Sequence, residues 1–547
     1  MEEKIIQKPC AVQKIETSQG FSVSYKEHLL YSKYNPAKNI ITAVENLKLL
    51  PGTIILCCSP LLGYGLSELC QKLPENCLII LCEKDHALYD FSDSEGTFKT
   101  ADKRIFIFEP EKLPSLPVTI YNLAASGLYK RVIRLDMSAG VQFEKDFYDN
   151  LYNASSDAVM TFWKNRLTLT KFGRRYSKNL FENLHYLAET KPISDFFGTI
   201  EKPLIVFGAG ESTQTFIDGL LRHYTPCNDE TLPFFILCAD TALQPLLKNG
   251  IKPDGVFVEE AQSVILKAFT GTKKNIRIFA GLSSIPNLVH CAGAENISYF
   301  YTEYSQGKFF DFLKAQRFMP ASNKPFGSVG LTAVYYALKF RKNENIPVYI
   351  CGLDFSYSTG LTHTKGALAH LLRLMHANRL VPAQNYTAAY GLGTEKLNGK
   401  NGKPLITTPT LKSYAAMFKN FFSDEKNLFD AGESGIDLGL PRADIDIDCP
   451  IADAPRNDGK TTAGRSNPHV KDVETYLANE HKSLEYLRDL LTGKTELKDD
   501  ALMSEIRKVA EPREYLYLHF ADGYKFSMNQ SFLNRIRTEL DFFLKFL

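Results

Sequence analysis

The sequence predicts a multidomain α/β protein with two Rossmann-like, doubly wound domains followed by a helical C-terminal region. Two stretches alternate short apolar strands with helical segments, the pattern of a parallel sheet with crossover helices. The tail, including KDVETYLANEHKSLEYLRDLL, instead has helical periodicity. Because 547 residues are too many for one hydrophobic core, several domains are expected. We place an N-terminal Rossmann-like domain at residues 1–145, a helical connector at 146–200, a central α/β domain at 201–425 and a mainly helical region at 426–547.

Composition indicates which partners the chain lacks. With 64 basic and 62 acidic residues, no global charge attracts nucleic acid or an anionic membrane. The N-terminus has no apolar core of signal-peptide length, and no stretch is long and apolar enough to span a bilayer. The eleven cysteines lack zinc-site spacing. We therefore expect a cytoplasmic protein with reduced thiols, no nucleic-acid partner and no membrane span.

The N-terminal domain is predicted from four apolar strands, TIILCCS, CLIILCE, RIFIFEP and KRVIRLD. Gly63 and Gly65 lie in the turn after the first strand, and Glu83 ends the second, where a Rossmann-like fold binds ribose. The G-x-G-x-x-G motif is missing, which favours a scaffold or a binding domain with an eroded site over a working nucleotide site.

The connector contains the basic and aromatic segment WKNRLTLTKFGRRYSKNLF. Such a segment can contact nucleic acid or an acidic partner. An amphipathic connecting helix with a solvated basic face is the favoured interpretation.

The central domain has the most regular pattern. Its strands are predicted at LIVFG, PFFILCA, DGVFVEE, RIFAG, ISYFYTE and PVYICG, with helices between them. After about Asn378 the pattern weakens, and the Gly-, Asn- and Lys-rich stretch YGLGTEKLNGKNGKPLITTP is expected to be a long surface loop. A helix is expected at LKSYAAMFKNFFS.

A glycine-containing turn, GAGES, follows the first strand of the central domain. Gly208, Gly210, Glu211 and Ser212 open a helix there, so backbone amides can face a phosphate. Thr213 stands where a dinucleotide-binding motif has its third glycine, which argues against NAD but not against another nucleotide. An ordinary tight turn is the alternative.

Polar residues also end the next two strands. Asp240 and Thr241 follow PFFILCA, and Glu259 and Glu260 are the last two residues of DGVFVEE. Acids at this edge of a parallel sheet face the binding crevice. Asp240 is equally compatible with a helix N-cap, and the two glutamates with solvated surface acids.

A second polar group is spread over residues 327–366. Gly327 and Ser328 precede the apolar helix VGLTAVYYALKF, where the serine hydroxyl can bind an anion or simply cap the helix. After the strand PVYIC come Gly352 and Asp354, and Tyr357 follows in the same loop.

His363 lies further along that loop, in the polar segment TGLTHTKG. Its imidazole titrates near neutral pH and can remove a proton from an acceptor hydroxyl. His370 and His376 are not spaced to join it on one helical face, so no metal site is predicted.

Two further patterns are ambiguous. Asp444, Asp446 and Asp448 alternate in ADIDIDCP, as in D-x-D metal motifs, but this period of two also fits a half-buried strand, which we favour. GKTTAGRS imitates part of a phosphate loop without the preceding glycine and strand, and is expected to be a mobile loop.

Together the GAGES turn, ADTALQPLLKNGIKPDGVFVEE, FGSVGLTAVYYAL and ICGLDFSYSTGLTHTKG resemble the motility-associated-factor (Maf) flagellin glycosyltransferases of bacteria. The central domain of that family is similar to bacterial sialyltransferases and to 6-hydroxymethylpterin diphosphokinases. The resemblance covers residues 200–380. Two positions depart from the family pattern: Glu211 replaces the proline of G-x-G-P-S, and Glu260 replaces an aspartate.

The resemblance implies transfer of a nonulosonic acid, such as pseudaminic or legionaminic acid, from a CMP-sugar to Ser or Thr of flagellin. Gly208, Gly210 and Ser212 would then hold CMP, and Ser328 with Tyr357 would stabilise the leaving phosphate. His363 would be the general base and Asp354 a second catalytic residue, with no cofactor required. Two alternatives remain open: a pterin pyrophosphokinase-like enzyme, and a flagellin-binding motility or assembly factor without catalytic activity.

Overall fold

The computed structural model describes residues 11–223, 233–272, 275–305, 307–443, 468 and 470–547. The described residues fall into two compact units. The first lies within Met1–Phe172 and Tyr517–Ser527, and the second within Gly173–Leu516 and Met528–Leu547. The domain boundaries predicted at residues 146, 201 and 426 stay predictions.

The first unit contains a four-stranded parallel sheet. The strands are β1 (Gln13–Thr17), β2 (Gly20–Tyr25), β3 (His28–Leu29), β4 (Thr53–Cys58), β5 (Leu78–Cys82), β6 (Ile105–Phe108) and β7 (Arg131–Asp136). The helices are α1 (Lys38–Asn46), α2 (Leu66–Lys72), α3 (His86–Ser94) and α4 (Leu116–Ala124), and α5 (Lys145–Leu187) continues into the second unit. The parallel order is β6-β5-β4-β7. Every residue of β4 and β5 is buried, as expected for strands covered on both faces.

The sequence analysis predicted β4 to β7 correctly but missed a small antiparallel sheet, β1-β2-β3. In β2 the apolar Val23 and Tyr25 alternate with serines and are buried, but the strand is short and Phe21 near its start is exposed. The predicted connecting helix is confirmed by α5.

The second unit is built on an eight-stranded sheet. Its strands and one hairpin are β8 (Leu204–Phe207), β9 (Phe235–Ala239), β10 (Gly255–Val258), β11 (Ile278–Gly281), β12 (Ile297–Thr302), β13 (Ser322–Asn323), β14 (Val348–Cys351), β15 (Glu395–Asn398), β16 (Pro404–Thr407) and β17 (Leu428–Asp430). The helices are α6 (Ser212–His223), α7 (Leu243–Lys248), α8 (Leu288–Ala292), α9 (Lys308–Ala315), α10 (Val329–Phe340), α11 (Leu368–His376), α12 (Tyr386–Ala389), α13 (Pro409–Phe422), α14 (Val470–Thr492), α15 (Asp499–Ala510) and α16 (Gln530–Phe543). The sheet order is β13-β12-β11-β10-β9-β8-β14-β17, and its described pairings are parallel.

Short 3-10 helices complete the connections at Pro110–Ser115, Ala139–Glu144, Ile193–Phe196, Asp240–Ala242, Ser263–Phe269, Ala294–Asn296 and Glu514–Leu516. The structure thus confirms the predicted fold class, with two doubly wound α/β sheets and a helical C-terminal region. Among the described residues, no helix combines the length and apolar character needed to cross a bilayer.

Helix α10 lies in the core of the second unit. Phe257, Phe279 and Phe300 of neighbouring strands pack with Tyr336 and Phe340 of the helix, and the Phe257 and Phe279 ring centroids are 4.9 Å apart. Because α10 connects parallel strands, it runs antiparallel to them, and its N-terminus lies at the edge where the strands end. Ser328, which immediately precedes α10, therefore lies at that edge of the sheet.

The predicted surface loop after Asn378 was wrong in part. Its second half forms the hairpin β15-β16. Ile406 and Tyr357 exchange backbone hydrogen bonds of 2.9 and 3.0 Å, and both side chains are buried. Gly399, Lys400, Gly402 and Lys403 lie in the turn of the hairpin, while Leu405 and Ile406 of β16 are buried. The D-x-D-like acids Asp444, Asp446 and Asp448 and the GKTTAGRS segment lie outside the described residues.

Candidate active site at the carboxyl edge of the central sheet

In the central sheet, strands β9 to β13 lie on one side of β8, whereas β14 and β17 lie on the other side. The strand order therefore reverses between β8 and β14. Such a topological switch point is where open α/β sheets bind ligands. The GAGES turn after β8 and the turn after β14 meet there, since the Gly208 amide donates to the Cys351 carbonyl (2.7 Å) and the Gly210 amide to the Gly352 carbonyl (2.8 Å).

Glycine is required here by the contact between the two turns. Gly352 has a φ of +73°, and a Cβ on it would lie 1.9 Å from Thr213 Oγ1. A Cβ on Gly210 would lie 2.6 Å from an Asp354 carboxylate oxygen. The glycines that were predicted to admit a phosphate therefore admit the chain's own backbone and carboxylate.

Asp354 occupies the anion position at the start of α6. The Ser212 amide donates to one carboxylate oxygen (2.9 Å), and the Ser212 hydroxyl donates to the other. The same hydroxyl accepts from the Gly352 amide (3.0 Å). A helix N-terminus stabilises a negative charge, and here an internal carboxylate supplies it. Glu211, next to this site, is half-buried and has no hydrogen-bond or ion-pair partner among the described side chains.

A buried ion pair adjoins Asp354. Lys400 Nζ, from the turn of the β15-β16 hairpin, lies 2.6 Å from an oxygen of Asp430 at the end of β17, and each side chain is 7% exposed. A Cβ on Gly432 would lie 2.8 Å from Ser212 Oγ and 3.2 Å from Lys400 Nζ, which shows how closely the groups pack. We call Ser212, Asp354, Lys400 and Asp430 the switch-point cluster.

The cluster holds two carboxylates and one lysine. Burial raises the pKa of Asp354 to about 6, against the opposing effect of the Ser212 hydrogen bonds and the Lys400 charge, and the Asp430 charge raises it further. Asp354 is thus harder to ionise than an exposed aspartate, and the nearby Lys400 charge opposes this effect. Asp354, which was expected to be catalytic, is buried and binds Ser212 rather than facing an open surface.

The loop carrying His363 is fixed to the GAGES turn. The Thr364 amide donates to the Ala209 carbonyl (2.8 Å), and Thr362 Oγ1 lies 3.2 Å from His363 Nδ1. The imidazole is half-buried, and burial lowers the pKa of His363. A histidine with a lowered pKa is neutral at physiological pH, the state in which it can accept a proton.

The N-terminus of α10 lies against the turn after β14. Gly330 comes so close to Leu353 that a Cβ on this glycine would lie 2.4 Å from Leu353 Cδ2. Ser328 is the N-cap by backbone conformation, but its hydroxyl makes no capping hydrogen bond. Helix capping therefore does not explain why a serine hydroxyl is present at position 328. Gly327 has a φ of +73° and packs on the Tyr414 ring.

Tyr357 is placed differently from the expectation. Its side chain is buried, and its hydroxyl donates to the Ala388 carbonyl (2.8 Å). Tyr357 was expected to stabilise the leaving phosphate, but its hydroxyl already donates its proton to this carbonyl.

The remaining predicted acids lie at the ends of β9 and β10. Asp240 is 5% exposed, and burial together with the charges of Glu260 and Glu259 raises its pKa to about 7. It does not cap α7, whose N-cap is Ala242. Thr241, beside it, is half-buried.

Glu259 and Glu260 have different partners. Glu259 accepts hydrogen bonds from the hydroxyls of Thr302 and Thr332 (2.9 Å for the latter), and burial raises its pKa. Glu260 accepts from the Gln262 amide (2.9 Å). In the described parts of the chain, no three His, Cys, Asp or Glu side chains converge in a way that could hold a metal ion.

The structure thus brings together Gly208, Gly210, Ser212, Gly352 and Asp354, and fixes the His363 loop beside them. Lys400 and Asp430 were missed by the sequence analysis. In the sequence, Lys400 lies in the stretch NGKNGK, and Asp430 ends the short apolar stretch NLFD. Neither pattern indicates that the two side chains are buried together.

Comparison with known proteins gives three findings. Residues 178–360 match the family profile described as 6-hydroxymethylpterin diphosphokinase MptE-like, which confirms the predicted relation of the central domain. The fold is similar to the structure of a Maf glycosyltransferase from Magnetospirillum magneticum AMB-1, with a TM-score of 0.48 and 12% identity, covering 99% of this chain and 91% of that one.

The third finding concerns the whole sequence. An uncharacterized protein of Treponema pallidum (strain Nichols) is 30% identical over 561 aligned positions, which cover 97% of this chain and 94% of the Treponema protein. A match of this extent includes both compact units. The chain therefore belongs to the same protein family as the Treponema pallidum protein.

Proposed function

We propose that the chain is a glycosyltransferase that transfers a nonulosonic acid from a CMP-sugar to a Ser or Thr hydroxyl of flagellin. The observation that carries this proposal is the His363 loop, which hydrogen-bonds to the GAGES turn at the switch point and holds a half-buried imidazole with a lowered pKa. The sequence resemblance to Maf proteins supplies the sugar class and the acceptor.

The proposed reaction is a single displacement at the anomeric carbon of the sugar. The acceptor hydroxyl oxygen forms a bond to the anomeric carbon while the bond from that carbon to the CMP phosphate oxygen breaks. The hydroxyl proton passes to His363, and the electron pair leaves on the phosphate. A positioned base of this kind contributes roughly 10²- to 10⁴-fold to the rate.

The leaving phosphate requires donors, and the structure favours the start of α10 for this role over the start of α6. At α6 the Ser212 amide already donates to Asp354, and Glu211 adds a second carboxylate nearby. At α10 the Ser328 hydroxyl makes no capping bond, and the helix N-terminus faces the same edge of the sheet. The Asp354–Ser212 pair then acts as a scaffold that fixes the GAGES turn against the turn after β14.

A second candidate function is pyrophosphoryl transfer from ATP to a pterin, which the match to MptE-like proteins over residues 178–360 favours. This reaction needs Mg²⁺, for which carboxylates are suitable ligands. Asp240, Glu259 and Glu260 are the carboxylates at the neighbouring strand ends.

Thermal-shift titration separates the two candidates. We expect CMP and CMP-sugars to raise the melting temperature without Mg²⁺, and ATP with Mg²⁺ to have little effect. Stabilisation by ATP with Mg²⁺, and by no cytidine compound, would contradict the transferase proposal and favour the pyrophosphokinase.

Intact mass spectrometry of flagellin tests the reaction itself. In a cell that makes the sugar nucleotide, co-expression with the wild-type chain is expected to add whole nonulosonic acid masses. Flagellin that binds the chain but keeps its unmodified mass would instead indicate a binding factor without catalytic activity.

A further inference from the structure

Exposed apolar side chains are concentrated in one short part of the second unit. We call residues 374–392 the apolar segment. Seven large apolar side chains are exposed there: Leu374 (46%), Met375 (78%), Leu380 (85%), Val381 (50%), Tyr386 (45%), Tyr390 (67%) and Leu392 (108%). Scattered single apolar side chains are normal on a surface, but a contiguous group marks an interaction site.

The helix that leads into this segment is incompletely covered. The strongly amphipathic α11, LAHLLRLMH, has no fully buried residue: Leu368, Leu371 and Leu372 are half-buried. An amphipathic helix normally buries its apolar face, and most of its stability comes from doing so. The exposed side chains Leu374 and Met375 at the end of α11 are therefore available to a partner.

The apolar segment is fixed beside the candidate active site. The Asn385 amide donates to the Gly360 carbonyl (2.8 Å), three residues before His363 in sequence. The Tyr357 hydroxyl donates to the Ala388 carbonyl (2.8 Å), and Tyr357 packs with Ala389 and Ile406. A molecule bound to the segment is thus adjacent to the His363 loop.

The charge of this region indicates the chemistry of the partner. Residues 355–394 contain Lys365, Arg373 and Arg379 but no aspartate or glutamate. Arg373 donates to the carbonyls of Ala383 and Gln384, which are neutral, and it forms no ion pair with any residue that the structure describes. The complementary partner is an acidic surface that also carries apolar side chains.

From these observations we propose that the apolar segment is the docking surface for the acceptor polypeptide, which binds through an acidic, apolar face and thereby presents its hydroxyl to His363. This rests on the proposed function, because group transfer to a protein requires its nucleophile to be held at the base. Three cations over this stretch are fewer than the clusters of four to eight that recognise anionic lipids, which favours a polypeptide over a membrane.

The test uses the full-length chain and a matched pair of double variants. Leu380→Ser/Leu392→Ser removes two of the most exposed apolar side chains of the segment. Val118→Ser/Leu167→Ser removes two comparably exposed ones in the first unit (65% and 70%). Because all four side chains are exposed, both variants are expected to fold and to keep the wild-type melting temperature.

Flagellin monomer of the same bacterium is the binding probe, and hydrolysis of CMP-pseudaminic or CMP-legionaminic acid is the donor readout. We expect Leu380→Ser/Leu392→Ser to weaken flagellin binding and raise the flagellin KM at least tenfold, with donor hydrolysis unchanged. Wild-type binding should also weaken as salt is raised from 50 to 300 mM. The control variant should match the wild type in every measurement.

Equal flagellin binding by both double variants would overturn the docking proposal while leaving the transferase proposal intact. Binding of the wild type to anionic phosphatidylglycerol vesicles, lost in Leu380→Ser/Leu392→Ser without a change in flagellin binding, would overturn it in favour of a membrane surface. A wild type that neither hydrolyses the donor nor modifies flagellin would overturn the proposed function, and the docking proposal with it.

Discussion

The two parallel sheets each have a switch point, and the two are built differently. Between β4 and β7 the Ser138 hydroxyl donates to Ser59 Oγ (2.9 Å), a neutral contact. Between β8 and β14 the Ser212 hydroxyl donates to the Asp354 carboxylate, which lies in a cluster with Asp430 and Lys400. The serine after β7 in the first unit thus binds a neutral hydroxyl, whereas Ser212 in the second unit binds a carboxylate within a charged cluster.

The first switch point also contains a buried acid, but no lysine compensates it. Glu83, 1% exposed, accepts from the Tyr148 hydroxyl (2.9 Å) and the Asp85 amide (3.1 Å) and makes no ion pair with a described residue. Its second carboxylate oxygen has no hydrogen-bond partner within the described part of the chain. In the second unit, a lysine from the hairpin turn supplies the compensating charge.

The connections after the strands explain this difference. β7 is followed within a few residues by α5. β14 and β17 are separated by residues 352–427, which carry His363, the apolar segment and Lys400. Binding and catalytic groups are commonly placed on such long connections, held by a rigid sheet. Of the two sheets, the second therefore has the long connection that brings these groups to its switch point.

The sharpest test of the comparison is His363→Ala. We expect the rate of flagellin modification to fall by roughly 10²- to 10⁴-fold, because the acceptor proton loses its base. Stabilisation by CMP should be unchanged. His370→Ala is the matched control, since His370 is also half-buried, lies on the same connection and has a pKa lowered by burial. Rates that fall equally in both variants, or in neither, would contradict the role of His363.

Removal of the buried lysine should have the next largest effect. Lys400→Ala leaves Asp430 unpaired and Asp354 without its nearby cation, and loss of one partner of a buried ion pair costs about 3 to 5 kcal/mol. The free energy of unfolding of the second unit, followed by hydrogen exchange of β8 and β14 amides, measures this. The control Lys403→Ala changes an exposed lysine of the same turn and should be neutral. Equal stability of the two variants would show that the cluster does not depend on its cation.

The pH dependence of stability should distinguish the first switch point. Burial raises the pKa of Glu83 from 4.5 to about 7, so the folded state disfavours the ionised acid. This group's contribution to stability is fully present below pH 4.5 and is lost as the pH rises to about 7, on the order of 3 kcal/mol in all.

Glu83→Gln removes this dependence, since the amide does not ionise. Relative to the wild type, the variant should therefore gain stability between pH 4.5 and 7 and gain no more above that range. Hydrogen exchange of β4 and β5 amides at pH 5 and pH 8 measures the gain. A constant difference between the variant and the wild type at both values would mean that Glu83 has no raised pKa.

The strands could be predicted from the sequence because each is a short apolar run with a clear boundary. TIILCC and LIVF are buried on both faces, and local composition is enough to identify such strands. The edge positions of Asp240 and Ser328 followed directly, because the ends of parallel strands and the starts of crossover helices share one edge.

The internal partners could not be predicted in the same way. Ser212 and Asp354 are 142 residues apart in sequence, and Lys400 and Asp430 are 30 apart. Nothing in the local pattern of NGKNGK indicates that its first lysine is buried while the second is exposed. That difference depends on where the hairpin packs, which is a tertiary contact.

The smallest expected effect is the difference in stability between Ser212→Ala and Ser138→Ala, which delete the same serine hydroxyl at the two switch points. Ser212→Ala removes a donor to a buried carboxylate and leaves the Gly352 amide without its acceptor, which should cost about 2 to 3 kcal/mol. Ser138→Ala removes a neutral hydroxyl pair and leaves the Gly140 amide without its acceptor, which should cost about 1 to 2 kcal/mol. Hydrogen exchange of β8 and of β4 amides reports each unit separately. Because the deletion is chemically identical, the excess in the second unit measures the carboxylate and its buried neighbours. If both variants lose the same stability, Asp354 is no better a hydrogen-bond acceptor than the Ser59 hydroxyl, and the charged cluster does not stabilise its switch point.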